Sequence, residues 1–255
     1  MFNLYKGLPI GAVTWGAGNI GAHAISTLAK DFRSVITAGD ADQRVDPANY
    51  TIEEVARRFA EFIHNEHYQP EFRDLPSKPP LGLAVSGYSS GSDFPEEWQI
   101  DLGNGGCHGP RCIVPSGECS MNWSGQPEVI ARICWGYSPR LLGVLQNLGL
   151  EPQQAKEFEE VCRNYLQAPL VHPSMPIKDA IDLAEYLVDC TIGFQRFMPG
   201  PDTVGGPVEV AAITKHEGFK WIARKHYFSI DLNSGKEEWL CNAVSPRAEI
   251  QDRCV

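Results

Sequence analysis

The run Ile10-Gly11-Ala12-Val13-Thr14-Trp15, followed by Gly16-Ala17-Gly18-Asn19-Ile20-Gly21, carries a strand into a small-residue bend. A near-continuous apolar run of strand length is expected where both faces of the strand are covered. Before it, Phe2 to Tyr5 alternates weakly and Gly7-Leu8-Pro9 makes a turn, so the two segments read as a hairpin. After it, Ile20, Ala24, Leu28 and Phe32 recur at spacings of four, which predicts an amphipathic helix leaving the bend. Thr37 to Pro47 is polar and reads as a loop.

Thr51-Ile52-Glu53-Glu54 has the form of a capping box, and Val55, Ala56, Phe59, Phe62 and Ile63 follow as a core stripe. This second helix is expected to end near His67, ahead of a proline-rich connection over 69–80. Leu81 to Tyr88 is another buried strand and Glu97 to Leu102 an alternating one, with a turn at Ser89-Ser90-Gly91-Ser92-Asp93. Gly103 to Gly117 reads as a Gly/Cys-rich loop and Cys119 to Trp123 as a short strand. Three helices are expected at 127–135, 138–148 and 152–167. A longer one, capped by Ser174, carries Ile177, Ala180, Ile181, Ala184, Leu187, Val188 and Ile192 on one broad apolar face. After a Gly/Pro loop over 199–206, Val208 to Thr214 and Phe219 to Ala223 form a last hairpin. Strands, grouped helices and strands in this order predict an α+β fold rather than alternating β-α-β units. The domain is expected to occupy residues 1–230, with 231–255 as a C-terminal extension.

Composition narrows the function classes. The 255 residues are 43% hydrophobic and 21% charged, the balance of an ordinary globular chain. The net charge of -10 argues against a nucleic-acid partner. No apolar run reaches the roughly 18 residues of a membrane span, and the N-terminus lacks the pattern of a signal peptide, so a cytoplasmic protein without a membrane partner is expected. The eight cysteines do not read as a disulfide framework. Cys107, His108, Cys112 and Cys119 do not match zinc-site spacing, and His64 and His67 read as solvent-facing, so no metal or other cofactor is expected. Gly16-x-Gly18-x-x-Gly21 satisfies the dinucleotide-loop pattern, but the β-α-β continuation that would give it meaning is missing.

Taken together, these segments resemble the proteasome-subunit family of N-terminal-nucleophile (Ntn) hydrolases, most of all the bacterial proteins related to it. The resemblance rests on the hairpin Leu4 to Thr14 with Gly16-Ala17-Gly18, the capped helix from Thr51, and Leu83-Ala84-Val85-Ser86-Gly87-Tyr88 with Trp98 to Asp101. Trp123-Ser124-Gly125-Gln126, Asp179 to Val188 and Thr203-Val204-Gly205-Gly206-Pro207 complete it. It covers residues 2–226 and lies in the order of the segments rather than in one motif. It implies a four-layer αββα sandwich, a homo-oligomeric ring, and threonine-type cleavage of a peptide or protein substrate. In such chemistry an N-terminal threonine attacks and its own α-amino group serves as base.

The resemblance also assigns places to residues. Trp15 falls where the family lines its substrate pocket, and Gly16, Ala17 and Gly18 where a backbone N–H forms the oxyanion hole. Ser124 and Gly125 fall at the turn that helps orient the nucleophile. Asp202, Gly205 and Gly206 fall near the family's site aspartate, although Val204 replaces a serine there. Each has a plainer explanation: a strand-to-helix turn needs small residues, a tryptophan fills a core, a serine caps a helix, and a loop aspartate is solvated. The family's nucleophile strand, its partner and a tuning lysine would precede Phe2 by about fifty residues, one hairpin-plus-strand unit. Neither Met1 nor Phe2 carries a nucleophile. The expectation is therefore a proteasome-type subunit that is inactive as this chain stands, with a non-catalytic structural subunit of a ring as the alternative.

Overall fold

The computed structural model describes residues 1–201 and 203–225, and those up to Arg224 belong to one compact unit. The segment 231–255 lies outside the described residues. Strands β1 (Phe2–Asn3), β2 (Ile10–Gly16), β3 (Asn19–Ile20) and β4 (His23–Ala24) come first. Helices α1 (Ile25–Ala38) and α2 (Ile52–Glu61) follow. A π-helical turn over Phe62–Tyr68 and α3 (Gln69–Phe72) prolong α2 past the expected stop at His67. Then come β5 (Leu81–Gly87), β6 (Glu96–Gly103) and β7 (Gly106–Val114). Helices α4 (Glu128–Trp135), α5 (Leu141–Asn147), α6 (Pro152–Leu166) and α7 (Ile177–Gln195) precede the hairpin β8 (Val210–Thr214) and β9 (Gly218–Ala223).

The fold is α+β. Five strands pair antiparallel in the order β1-β2-β5-β6-β7. Because strand side chains alternate, Ile10, Ala12, Leu81, Leu83, Val85, Ile100 and Leu102 all point to one face. They close a core with Leu28, Phe32, Ile36, Val55, Phe59 and Ile63 from α1, α2 and the π-helical turn. Phe32 anchors this layer, its ring tilted against Phe59 at 4.8 Å and Phe62 at 5.6 Å.

The opposite face of β2 meets the β8–β9 hairpin. Gly11 is the point of closest approach: a Cβ there would come within 2.8 Å of the Phe219 ring and 2.9 Å of Ile213 Cδ1. Lys215, in the hairpin turn, forms an ion pair with Asp93 beside β5. Helix α7 packs against β8, and α4 against α7.

Several segments depart from the expected pattern. The first helix begins at Ile25 rather than in the bend, because residues 19–24 fold into the small β3–β4 hairpin with Gly21 at φ 53°. Thr51 caps α2 by accepting from the Glu54 N–H at 3.1 Å, but the Glu54 carboxylate pairs with Arg58 at 2.7 Å instead of reaching back. Much of the expected loop at 103–117 is the edge strand β7, whereas Cys119–Trp123 forms no strand. Ser174 lies with His172 at 3.1 Å, and Pro176 holds the N-cap position of α7. The broad apolar face of α7 is only partly covered: Leu187 is buried, while Ile177, Ala180 and Ala184 are exposed.

Candidate functional site

The face of the sheet that turns away from α1 and α2 is where the sequence-predicted residues come together. The backbone register places Trp15, Gly82, Asp101 and His108 side by side across β2, β5, β6 and β7. The Trp15 indole lies directly over Gly82, close enough that a Cβ at Gly82 would overlap the ring. The turn before α4 comes down onto the same tryptophan. A Cβ at Gly125 would stand 3.7 Å from Trp15 Cβ, and Gly125 holds φ 86°, which permits that turn. Trp15 and Ser124-Gly125, more than a hundred positions apart, thus share one end of the sheet.

The bend after β2 borders this place. Gly16 has φ 86° and passes so near the Pro80 carbonyl that a side chain would collide with it. The Ala17 N–H donates to the Pro80 oxygen at 2.9 Å, and the Gly18 carbonyl accepts from Ile25 N–H at 3.1 Å. Gly18 itself is exposed, with open space where a side chain would stand. The bend is therefore a fixed turn in which the Ala17 amide already has an acceptor.

Gly205 and Gly206 stand in the bend leading to β8, where Gly206 has φ 83° and Gly205 has open space around it. Asp202 lies outside the described residues.

The same sheet face holds polar groups not singled out from sequence. Asp101 accepts from Gln99 Nε2 at 2.8 Å and lies 4.0 Å from Arg111. Burial pushes the Glu97 carboxyl above the ordinary range, while the amide of Asn122, at 3.2 Å, works against that. The signal for these groups was present: Glu97, Gln99 and Asp101 are the polar positions of the alternating strand β6.

The Thr14 hydroxyl donates to the Gly82 carbonyl at 3.1 Å. Burial pushes the Cys107 and Cys134 thiols up, which keeps them in the unreactive neutral form. Among the described residues no group of three or more His, Cys, Asp or Glu is placed to hold a metal, and no helix is long and apolar enough to cross a membrane.

A separate cleft of about 590 Å³ opens among 119–123, α4, Arg163 and 167–171. Trp123 and Trp135 face each other across 5.2 Å in its wall. No protein-family model matches this chain, and no curated protein or solved structure matches it.

Proposed function

We propose that this chain is a proteasome-type subunit of the Ntn-hydrolase class, a four-layer αββα sandwich that forms a ring. In this reading its described residues supply the walls of an amide-hydrolysis pocket rather than its nucleophile. The observation that carries the reading is the convergence of Trp15, the Gly16-Ala17-Gly18 bend and Ser124-Gly125 at one end of the sheet. Those segments are the ones the sequence resemblance assigns to pocket wall, oxyanion turn and orienting turn. The contacts of α1 and α2 with the sheet, of the sheet with β8–β9, and of β8 with α7 support the layer order.

A peptide bond attacked over such a pocket needs a donor aimed at the developing oxyanion, a contribution of about 3–4 kcal/mol when preorganised. One observation favours the structural alternative: the Ala17 N–H is engaged by Pro80. Under that alternative the chain contributes to a ring without chemistry of its own.

The test joins assembly and labelling. The protein is produced from its natural gene with any in-frame upstream sequence, its mature N-terminus is sequenced, and its mass is measured under native conditions. It is then treated with a fluorescent peptide epoxyketone, which traps N-terminal threonine. A ring that labels at an N-terminal threonine supports the hydrolase reading. A ring without labelling supports the structural subunit. A monomer that does not label overturns both.

A further inference from the structure

We infer that the cleft walled by Trp123, Trp135 and Arg163 binds a proline-rich peptide segment in the polyproline II conformation. This inference does not depend on the reading above. The cleft, about 590 Å³, is within the roughly 300–1,000 Å³ range of ligand pockets. Its wall carries a pair of indoles, with Trp123 5.2 Å from Trp135, and Tyr137 backs Trp135 from outside the cleft at 5.8 Å. Trp135 is held in place from one side, since the Arg163 guanidinium lies 4.2 Å from its ring centre. Arg163 is itself fixed by Glu159 at 3.1 Å and by the Tyr137 hydroxyl at 3.4 Å. Trp135 is thus braced before any ligand arrives, which lowers the ordering cost of binding.

The hydrogen-bonding character of the cleft selects among ligands. Among the described residues the indole N–H groups of Trp123 and Trp135 have no acceptor, whereas that of Trp98 donates to Glu96 at 2.8 Å. The Gln167 amide also lines the cleft. The cleft therefore offers donors beside flat apolar rings. A polyproline II segment offers the complement: backbone carbonyls with no internal hydrogen bonds, pyrrolidine rings, and few N–H groups to leave unpaired. Aromatic-lined grooves recognise such segments in this way. A free anion fits less well, because the charge of Arg163 is already matched by Glu159.

The probe is a decaproline peptide, titrated calorimetrically into the full chain, with a Gly-Ser decamer as control. Binding of decaproline alone is expected, and the indole N–H signals of Trp123 and Trp135 in a nitrogen-15 correlation spectrum should move as they gain acceptors. Trp123→Phe keeps a ring and removes the donor, so it should weaken binding about tenfold, the effect of losing one hydrogen bond. Gln167→Ala, at an exposed position, tests the side-chain amide donor without risk to the fold. The inference is overturned if decaproline does not bind, or if both variants keep the wild-type melting temperature and bind as well as wild type. It is equally overturned if an oligosaccharide or inorganic phosphate moves the two indole signals and decaproline does not.

Discussion

At the scale of single residues, Gly82 decides where Trp15 lies. Any side chain at 82 meets Cε2, Nε1 and Cζ2 of the indole, so the ring must leave the sheet before the side chain fits. Overpacking of this kind costs about 1–3 kcal/mol. Gly82→Ala is therefore expected to lower stability by that amount in urea unfolding and to shift Trp15 emission towards that of an exposed indole. Glu97 makes a prediction of opposite sign. Its carboxyl is raised by burial, so the folded state holds its proton to a higher pH than the unfolded chain does. The native state binds more protons across that window, and stability falls as pH rises from near the ordinary carboxylate value of 4.5 through the folded value. Glu97→Gln preserves an acceptor for Asn122 and removes the titration. It should match wild type in acid, exceed it in stability at pH 8, and flatten the curve between. An unchanged pH profile in the variant would show that burial of Glu97 does not control the effect.

At the scale of elements, α2 shows how local chemistry and tertiary contact combine. Thr51 Oγ1 accepts from Glu54 N–H at 3.1 Å, and Ser89 Oγ, from the turn after β5, accepts from Ile52 N–H at 2.9 Å. One donor of the first turn is satisfied locally and another from across the fold. Thr51→Ala should cost about 1 kcal/mol in denaturant unfolding. Thr51→Ser should recover most of it. The Thr51 cap was legible in the sequence because it is local, while the Ser89 contact, which depends on the sheet bringing residue 89 back to residue 52, was not. The same division separates the strands. β5 was legible because it is central, buried on both faces and nearly continuously apolar, and β2 from its apolar run, although Val13 stays exposed. β7 was not, because it is an edge strand whose Gly106, Gly109 and Pro110 imitate a loop. Proline is tolerated there because an edge N–H has no neighbour to meet. For the candidate site, Trp15 and the glycine bend were legible from the strand that carries them. Their approach to Gly125, and the cleft built around Trp123 and Trp135, depend on packing of distant segments that no periodicity encodes.

At the scale of the whole molecule, the helices after β7 are incompletely covered. Helix α6 turns the Glu159–Arg163 ion pair towards Tyr137 and Trp135, and leaves Phe158, Val161 and Tyr165, at spacings of three and four, in solvent. Tyr165 is 84% exposed and Leu148, at the end of α5, 73%. A monomer rarely exposes a contiguous apolar stripe, and such stripes mark surfaces that other chains cover. A ring of subunits, as proposed here, supplies that cover. The purified chain should therefore sediment as an oligomer at micromolar concentration. Phe158→Glu combined with Tyr165→Glu places carboxylates where a dry contact would form, and an unpaired buried charge is strongly unfavourable. The double variant should sediment as a smaller species. Its melting temperature at low protein concentration should match wild type, because the two side chains contribute little to the packing of the single chain. Sedimentation of both proteins as the same oligomer would place the ring contact elsewhere on the surface. A wild-type monomer would remove the need for a ring altogether, and with it the assembly half of the proposed function.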